Sequence, residues 1–551
     1  MVMDRRSFIK AAGATAAATA VAANVALADE AAAPAGVTAD DKWAFEIPPA
    51  PIADDQIAET KSADIIVVGC GMSGMVTALS SAENGLSVII TTASEGAVSR
   101  GGSNNAVYSK VMEEMGLPKL DGAWYREQYM INTGNFKPAL WFKYYKNSEE
   151  AMNWLIDHAA AAGIKTTIES GTEFPKGDIM YTPAGAHSFY VDDAELTSGG
   201  VGGGEPYIAA ELARKLQEDM GIEIDFKCLA NQLVKDGDRV VGVISQAEDG
   251  SYIKYMANKA VVLATGDFTH DRDMMYRYAP EVAHMCNFDS PVNYDAGLMV
   301  NGIMPGQGQK MELWAGAAWQ KAPNVMMLGR PNLPADQPYT SHTGLMVDKF
   351  GQRFMNEDVL GGTACMTILQ LPGDTAYMIW GANRAVEGGP WGIPNAVYGD
   401  KFESPEAFQA TWDNDSYGFG VIKADTVEEI IEQLGLPAET IDTVNRYNEM
   451  CAAGEDTDFY KDPAKMIGIT EAPFYGCAFT PMLLTVLGGT RSNVNLQVLD
   501  ANDEPIPGLY HVGTMIGDFY CGTYTFAMEG VNYGATCVTL PYVLGKELAA
   551  L

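Results

Sequence analysis

Between residues 64 and 90 the spacing of apolar positions changes twice. Residues 65–68 are an unbroken apolar run, Ile-Ile-Val-Val, that stops at Gly69-Cys70-Gly71-Met72-Ser73-Gly74. Met75, Val76, Ala78, Leu79 and Ala82 then recur at helical spacing. Past Gly85 a second apolar run, Val88-Ile89-Ile90, begins. This predicts strand, tight turn, helix and strand, the opening unit of a dinucleotide-binding sheet. Gly69 permits the turn, Gly71 clears room for a pyrophosphate, and Gly74 lets helix and strand pack closely. Met72 and Ser73 open the helix, whose free N–H groups and positive dipole end suit phosphate. The fingerprint normally places an acidic residue about twenty positions on, at the ribose. That place falls on Thr92, with Glu95 just beyond, and a neutral hydroxyl binds a ribose more weakly than a carboxylate does.

Further along, residues 138–162 carry Leu140, Tyr144, Ala151, Trp154 and Leu155 at helical spacing, read as core. Residues 170–204 are Gly-rich, either a turn that approaches a ligand or a flexible loop. A helix at 205–220 is followed by strands at 222–226, 232–234 and 240–244, and by the apolar run that ends in Ala264-Thr265-Gly266-Asp267-Phe268.

At 551 residues the chain exceeds a single core, so about two or three domains are expected. Asp and Glu number 71 against 36 Lys and Arg, a net charge of −35. That excess disfavours nucleic acid and anionic membranes as partners. The N-terminus, Asp4-Arg5-Arg6-Ser7-Phe8-Ile9-Lys10, is a twin-arginine box. An Ala-rich stretch follows, and Ala26-Leu27-Ala28 offers a cleavage site. Residues 1–28 are therefore read as a signal peptide and 29–60 as a linker. Twin-arginine export carries folded proteins, often with cofactor inserted. No other stretch is long and apolar enough to span a bilayer, so the mature protein is expected in the periplasm or at the outer face of the cytoplasmic membrane. The 8 cysteines form no CxxC, haem-attachment or zinc spacing. They read as scattered buried thiols, and no metal site is expected.

The segment at 261–268, VVLATGDF, resembles the VVLATGGF element of the fumarate reductase and succinate dehydrogenase flavoprotein group. Gly306-Gln307-Gly308-Gln309-Lys310-Met311, Trp314-Ala315-Gly316-Ala317, Gly351-Gln352-Arg353-Phe354-Met355-Asn356-Glu357, Leu487-Gly488-Gly489 and residues 507–513, PGLYHVG, agree with that group in order. The resemblance implies an α/β fold: a Rossmann-type FAD-binding domain, residues 61–322 and 486–551, with an inserted α+β capping domain, 323–485. It implies FAD held by Gly69, Gly71, Met72, Ser73, Gly74 and Thr92; by Gly101, Gly102 and Ser103; by Ala264, Thr265 and Gly266; and by Gly513, Thr514, Asn532 and Tyr533.

The chain departs from the group where fumarate would be held. Two histidines and two arginines of fumarate reductases clamp the dicarboxylate, and a further arginine donates the proton. The histidine places fall here on or near Leu328 and on Thr485, the C-terminal arginine in the stretch 522–525 and the proton-donating arginine on Gly361, while the group's Thr-Glu pair of the cap falls about Asp336-Gln337. A site that pairs two carboxylates does not keep them after losing its cations. The nearby segments offer Met326, Met327, Leu328, Tyr339, His342, Phe519, Tyr520, Tyr524 and Phe526, an apolar and aromatic set with a few hydroxyls. Tyr524 is the first candidate for the proton donor and Tyr339 the second, followed by His342. Arg491 is a candidate for holding a carboxylate or carbonyl, or else a surface turn residue.

The resemblance therefore implies an FAD-dependent ene-reductase acting on a small organic substrate, non-dicarboxylate and aromatic or steroid-like, as in anaerobic respiration. Electrons are expected from a separate cytochrome or flavin carrier. The alternatives are a 3-ketosteroid dehydrogenase-like enzyme and a non-catalytic flavin electron carrier.

Overall fold

The computed structural model describes residues 42–127, 137–168, 184–190, 205–297, 302–329, 344–387, 404–416, 420–522 and 524–551. The elements below belong to the unit Ala44–Leu551; of the unit Met1–Trp43 only the last two residues are described.

Strand β1 (Ile57–Val68) leads through the glycine turn into helix α1 (Met72–Glu83) and strand β2 (Val88–Thr91). Helix α2 (Pro138–Ala161) follows, then β3 (Glu223–Asp225), the hairpin β4 (Leu229–Asp236) and β5 (Arg239–Gln246), and β6 (Tyr252–Leu263). β1 pairs in parallel with both β2 and β6, the register running Ile65↔Val88 and Val67↔Val262. The strand starts inside the segment expected to be a linker. That segment is anchored as well: Phe45 is buried, and Trp314 Nε1 donates to its carbonyl at 2.8 Å.

Helix α3 (Gln307–Ala315) precedes β7 (Val325–Gly329), where the chain leaves the main sheet. It builds β8 (Leu345–Val347), α4 (Gly361–Ile368), β9 (Ala376–Gly381), β10 (Ile422–Ala424), α5 (Val427–Gln433), α6 (Thr440–Ala453) and β11 (Phe474–Phe479). It returns on β12 (Met482–Leu487), antiparallel to β7. β13 (Gln497–Leu499) and β14 (Pro505–His511) then rejoin the first sheet, giving the order β13-β14-β6-β1-β2-β3 with the β4–β5 hairpin on β6. The excursion has its own sheet, β8-β9-β11-β10. It also has its own core, where Val427, Ile430, Val444 and Tyr447 cover Leu345 and Ile379. The architecture is α/β with an inserted α+β segment.

Both faces of the main sheet are covered. Ile65, Val67 and Ile90 pack with α1, α2 and the C-terminal helix α7 (Leu540–Ala549). Ile66, Val68 and Val261 pack with Met311, Leu509 and Met515. Strands buried on both faces read as continuous apolar runs, which is why residues 65–68 show no alternation.

Candidate active site

The glycine turn is built by close approach. Gly69 has φ +109°, a value glycine reaches without cost, and a Cβ there would lie 2.5 Å from Ala264 O. A Cβ on Gly74 would overlap Gly69 O, so any side chain would drive α1 off the strand. A Cβ on Gly71 meets nothing within 4 Å. Gly71 is the N-cap of α1 and supplies no side-chain cap, so the first-turn N–H groups are left for a ligand. Gly513 (φ +86°) closes the turn from the far end of the chain: a Cβ there would sit 2.8 Å from Ser73 Oγ. Thr514 O accepts from Gly488 N–H at 2.9 Å. Ala264, Thr265 and Gly266 lie beside the turn, Gln309 Nε2 donating to Gly266 O at 2.9 Å. The open side at Gly71, the bare helix start and the left-handed glycines fit a dinucleotide pyrophosphate.

The second wall pairs residues 101–105 with the start of the last helix. A Cβ on Gly101 would lie 2.6 Å from the Tyr533 ring, and one on Gly530 would lie 2.6 Å from the backbone of Ser103. Gly102 and Ser103 are buried there. Tyr533 shares a 2.6 Å hydrogen bond with Ser99 Oγ. The turns Tyr533–Thr539 are π-helical, with Thr536 Oγ1 donating to Asn532 O at 2.7 Å; such π segments are frequent at functional sites.

Two expected contacts change. Thr92 is buried, and its hydroxyl accepts from Cys70 N–H at 3.3 Å. Because Ser94 Oγ donates to Gly96 O at 2.8 Å, the 2.9 Å bond between Thr92 and Ser94 runs from Thr92. The Thr92 hydroxyl therefore braces the loop rather than standing free for a ribose. Glu95 is exposed and paired with Lys227 at 2.8 Å. Arg491 likewise points away from the cradle: Nε donates to Trp319 O at 3.0 Å and Nη1 pairs with Asp503 at 3.1 Å. Its backbone bridges to Gly517, so it stands in a strand-like segment rather than in a surface turn. Tyr339 and His342 lie outside the described residues.

Tyr524 is placed at the second wall. It is buried, and its hydroxyl accepts the Asn532 N–H at 3.2 Å. Its ring packs edge-on against Tyr520 (5.5 Å between centroids) and Phe526 (4.7 Å). Burial raises its pKa, while the Asn532 amide works in the opposite direction. The phenol stays protonated, and its oxygen faces an N–H in the first turn of the last helix. Helix α4 abuts this loop end-on: a Cβ on Gly362 would overlap Tyr524 O, so only glycine lets the two backbones meet. Gly361 opens that helix. Met327 and Leu484 of the β7–β12 ribbon pack against the same core as Tyr520, Tyr524 and Phe526, while Met326 and Leu328 are buried in the ribbon and Phe519 stacks on Trp141 at 4.1 Å.

Two arrangements escaped the sequence reading. Asp267 and Thr485 are hydrogen-bonded across the two parts of the fold, at 2.6 Å. In the insert, Arg353 pairs with Glu357 (2.7 Å) and Asp456 (2.8 Å), with Lys461 3.5 Å from Glu357. Residues 351–357 thus hold the insert together rather than touch the cradle. None of the 8 cysteines is joined in a disulfide, and no metal-binding cluster is found among the described residues. No helix among the described residues is long and apolar enough to cross a membrane.

Comparisons with known proteins agree with this geometry. The family model described as an FAD binding domain matches residues 64–531, and that of the twin-arginine translocation signal matches residues 2–22. The vinyl phenol reductase of Lactiplantibacillus plantarum is 24% identical, over 89% of this chain and 96% of its own length. The digoxin reductase of Eggerthella lenta is 25% identical, over 100% of this chain and 97% of its own. Among solved structures, the 3-ketosteroid-Δ4-(5α)-dehydrogenase of Rhodococcus jostii, in complex with 4-androstene-3,17-dione, superposes with a TM-score of 0.67. It has 21% identity and covers 91% of this chain and 99% of its own.

Proposed function

The chain belongs to the FAD-binding domain family and carries a twin-arginine export signal, and from that premise we propose that it is an exported ene-reductase. It reduces an activated carbon–carbon double bond of a non-dicarboxylate, aromatic or steroid-like molecule. Its electrons come from a separate cytochrome or flavin carrier, and the insert at 323–485 acts as the cap over the substrate.

The observation that carries the reading is what stands where cations would pair a dicarboxylate. Leu328 is buried and apolar, Gly361 has no side chain, and Thr485 is hydrogen-bonded to Asp267. Relatives named for reducing vinyl phenol and digoxin support the same substrate class. FAD held by the glycine turn at 69–74 and the wall at 101–103 would, once reduced by the carrier, supply the hydride for the alkene. The chain supplies the rest. Met326, Met327 and Leu328 keep water away, Tyr520 and Phe526 hold the Tyr524 ring, and the Tyr524 hydroxyl holds the proton for the neighbouring carbon.

The test is to reduce the FAD-loaded protein without oxygen and follow flavin absorbance as fumarate or a larger conjugated enone is added. The enone should reoxidise the flavin far faster; efficient turnover of fumarate overturns the reading. Tyr524→Phe should keep its flavin while turnover falls about 10²–10⁴-fold, the usual worth of a positioned acid. Unchanged turnover moves the role elsewhere. The oxidised protein, given a saturated steroid and an artificial acceptor, tests the dehydrogenase direction.

A further inference from the structure

Two of the positions where this chain leaves its family's pattern touch each other. Asp267 stands where the VVLATGGF element has glycine. Thr485 stands where fumarate reductases have the histidine before Gly-Gly. Thr485 Oγ1 donates to Asp267 Oδ2 at 2.6 Å. Asp267 lies just past β6, next to the cradle residue Gly266, and Thr485 lies on β12, directly opposite Met327 across the ribbon.

The carboxylate is built in. It is only 6% exposed, and Oδ1 accepts both the N–H (3.1 Å) and the hydroxyl (2.9 Å) of Thr269. Among the described residues no cation lies within ion-pair distance of it. Arg100 reaches it through space only, its Nε and Nη2 being spent on Ala296 O and Tyr294 O. Three donors thus hold Asp267, and one of them is Thr485.

Thr485 is the donor in this bond, and a hydroxyl has one proton and two lone pairs. The single Thr485 proton is therefore committed to Asp267, and what Thr485 can turn toward a ligand is an acceptor. Thr485 is half-buried beside half-buried Met327, so this acceptor lies in an otherwise apolar ribbon. We infer that Asp267 sets the hydrogen-bond polarity of Thr485, and that the pair selects substrates carrying a hydroxyl donor, phenolic or alcoholic, over those offering only an ether or keto oxygen there. The inference rests on the proposed function, in which the insert that begins and ends with this ribbon lies over the substrate. It makes Thr485 a specificity-determining residue and Asp267 its positioning residue.

The test uses the full-length, FAD-loaded protein and two conjugated alkenes of one carbon skeleton, a vinyl phenol and its methyl ether. Dissociation constants for the oxidised protein are read from the perturbation of the flavin spectrum; reoxidation of the reduced protein is read separately. The phenol should bind roughly tenfold tighter, the worth of one well-placed hydrogen bond to an oriented acceptor. Thr485→Val should bring the ratio of the two constants near one, and Thr485→Ser should restore it. In Asp267→Asn the amide NH₂ can donate to Thr485 and free its proton, so the ratio should fall or reverse toward the ether.

Equal binding of the two compounds, or a wild-type ratio in Thr485→Val with normal flavin content, overturns the inference, as does failure of both to bind. If the ratio behaves as expected while neither compound reoxidises the flavin, the inference stands and the ene-reductase reading falls.

Discussion

The nucleotide cradle and the inserted segment, the proposed cap, are held by opposite means. The cradle is a backbone structure: Gly74 lies on Gly69, Gly69 on Ala264, Gly534 on Asn105 and Gly513 on Ser73, each so close that a Cβ would collide. The cap is a side-chain structure. Arg353, Glu357, Asp456 and Lys461 form a buried charge network, and Arg353 and Lys461 both lie over the Tyr447 ring. A second knot stacks Trp380 on Tyr475, with Trp412 edge-on to both. The difference teaches where each part is brittle. The cradle fails when an atom is added, and the cap fails when a partner is removed.

Four measurements press on that contrast. The largest effect belongs to the cradle. Gly74→Val should yield no FAD-loaded protein, because its Cβ overlaps Gly69 O. Gly71→Leu, whose Cβ meets nothing within 4 Å, should give folded but colourless protein, since it obstructs only the pyrophosphate. Absorbance for flavin and circular dichroism for fold separate the two; a fully yellow Gly71→Leu protein would sink the placement.

Next is Arg353→Leu. It leaves Glu357 and Asp456 buried without their main partner, and breaking such a pair costs about 3–5 kcal/mol. Chemical denaturation should show the loss, with flavin affinity in the native baseline little changed. A loss below about 1 kcal/mol would mean that the network is not what holds the cap.

The third is a pH experiment that should separate the two regions. His187 pairs strand 186–190 to the cradle segment Asn104–Asn105. Its Nδ1 faces two carbonyls, Gly185 O at 2.7 Å and Asn104 O at 3.0 Å, so Nδ1 carries the proton and Nε2 accepts from Ser109 Oγ at 2.7 Å. Burial pushes its pKa down to about 4, from an ordinary value of about 6.5. A depressed folded pKa means stability complete above about 6.5 and lost as pH falls toward 4, on the order of 2–3 kcal/mol. In the cap, Glu357 and Asp456 are also held below their usual range by Lys461 and Arg353. Their contribution is intact above about 4 and fades only below it. Mild acid should therefore loosen the cradle before the cap. Hydrogen exchange resolved by segment at pH 7 and pH 5 checks this, and the step should be missing in His187→Asn. Loosening of the cap first would reverse the order.

The smallest effect is at the cap surface. Thr426 and Glu429 form a capping box on α5, and Thr426→Ala should cost about 1 kcal/mol, visible in denaturation but not in flavin content.

How much was legible follows from the same contrast. A backbone that must pass within contact distance of another, or of a phosphate, has one chemical solution. It is written in the chain as glycine, at Gly69, Gly71, Gly74, Gly101 and Gly513. The alternation of apolar runs and helical spacing likewise determined the strand–turn–helix–strand unit, because burial on both faces leaves no freedom for polar residues at 65–68. The twin-arginine box was readable for a similar reason: a linear signal needs no fold to be recognised. Side chains that act on one another across long sequence separations leave no such trace. Only the tertiary structure decided that Thr92 braces a loop, that Arg491 turns to Asp503, that Arg353 and Asp456 meet inside the cap, and that Tyr524 receives the Asn532 amide. The same holds for Asp267 and Thr485, which are 218 positions apart. Asp267 just past β6 and Thr485 on β12 are each unremarkable alone, and the hydrogen bond that fixes their polarity exists because the chain leaves the sheet on β7 and returns on β12.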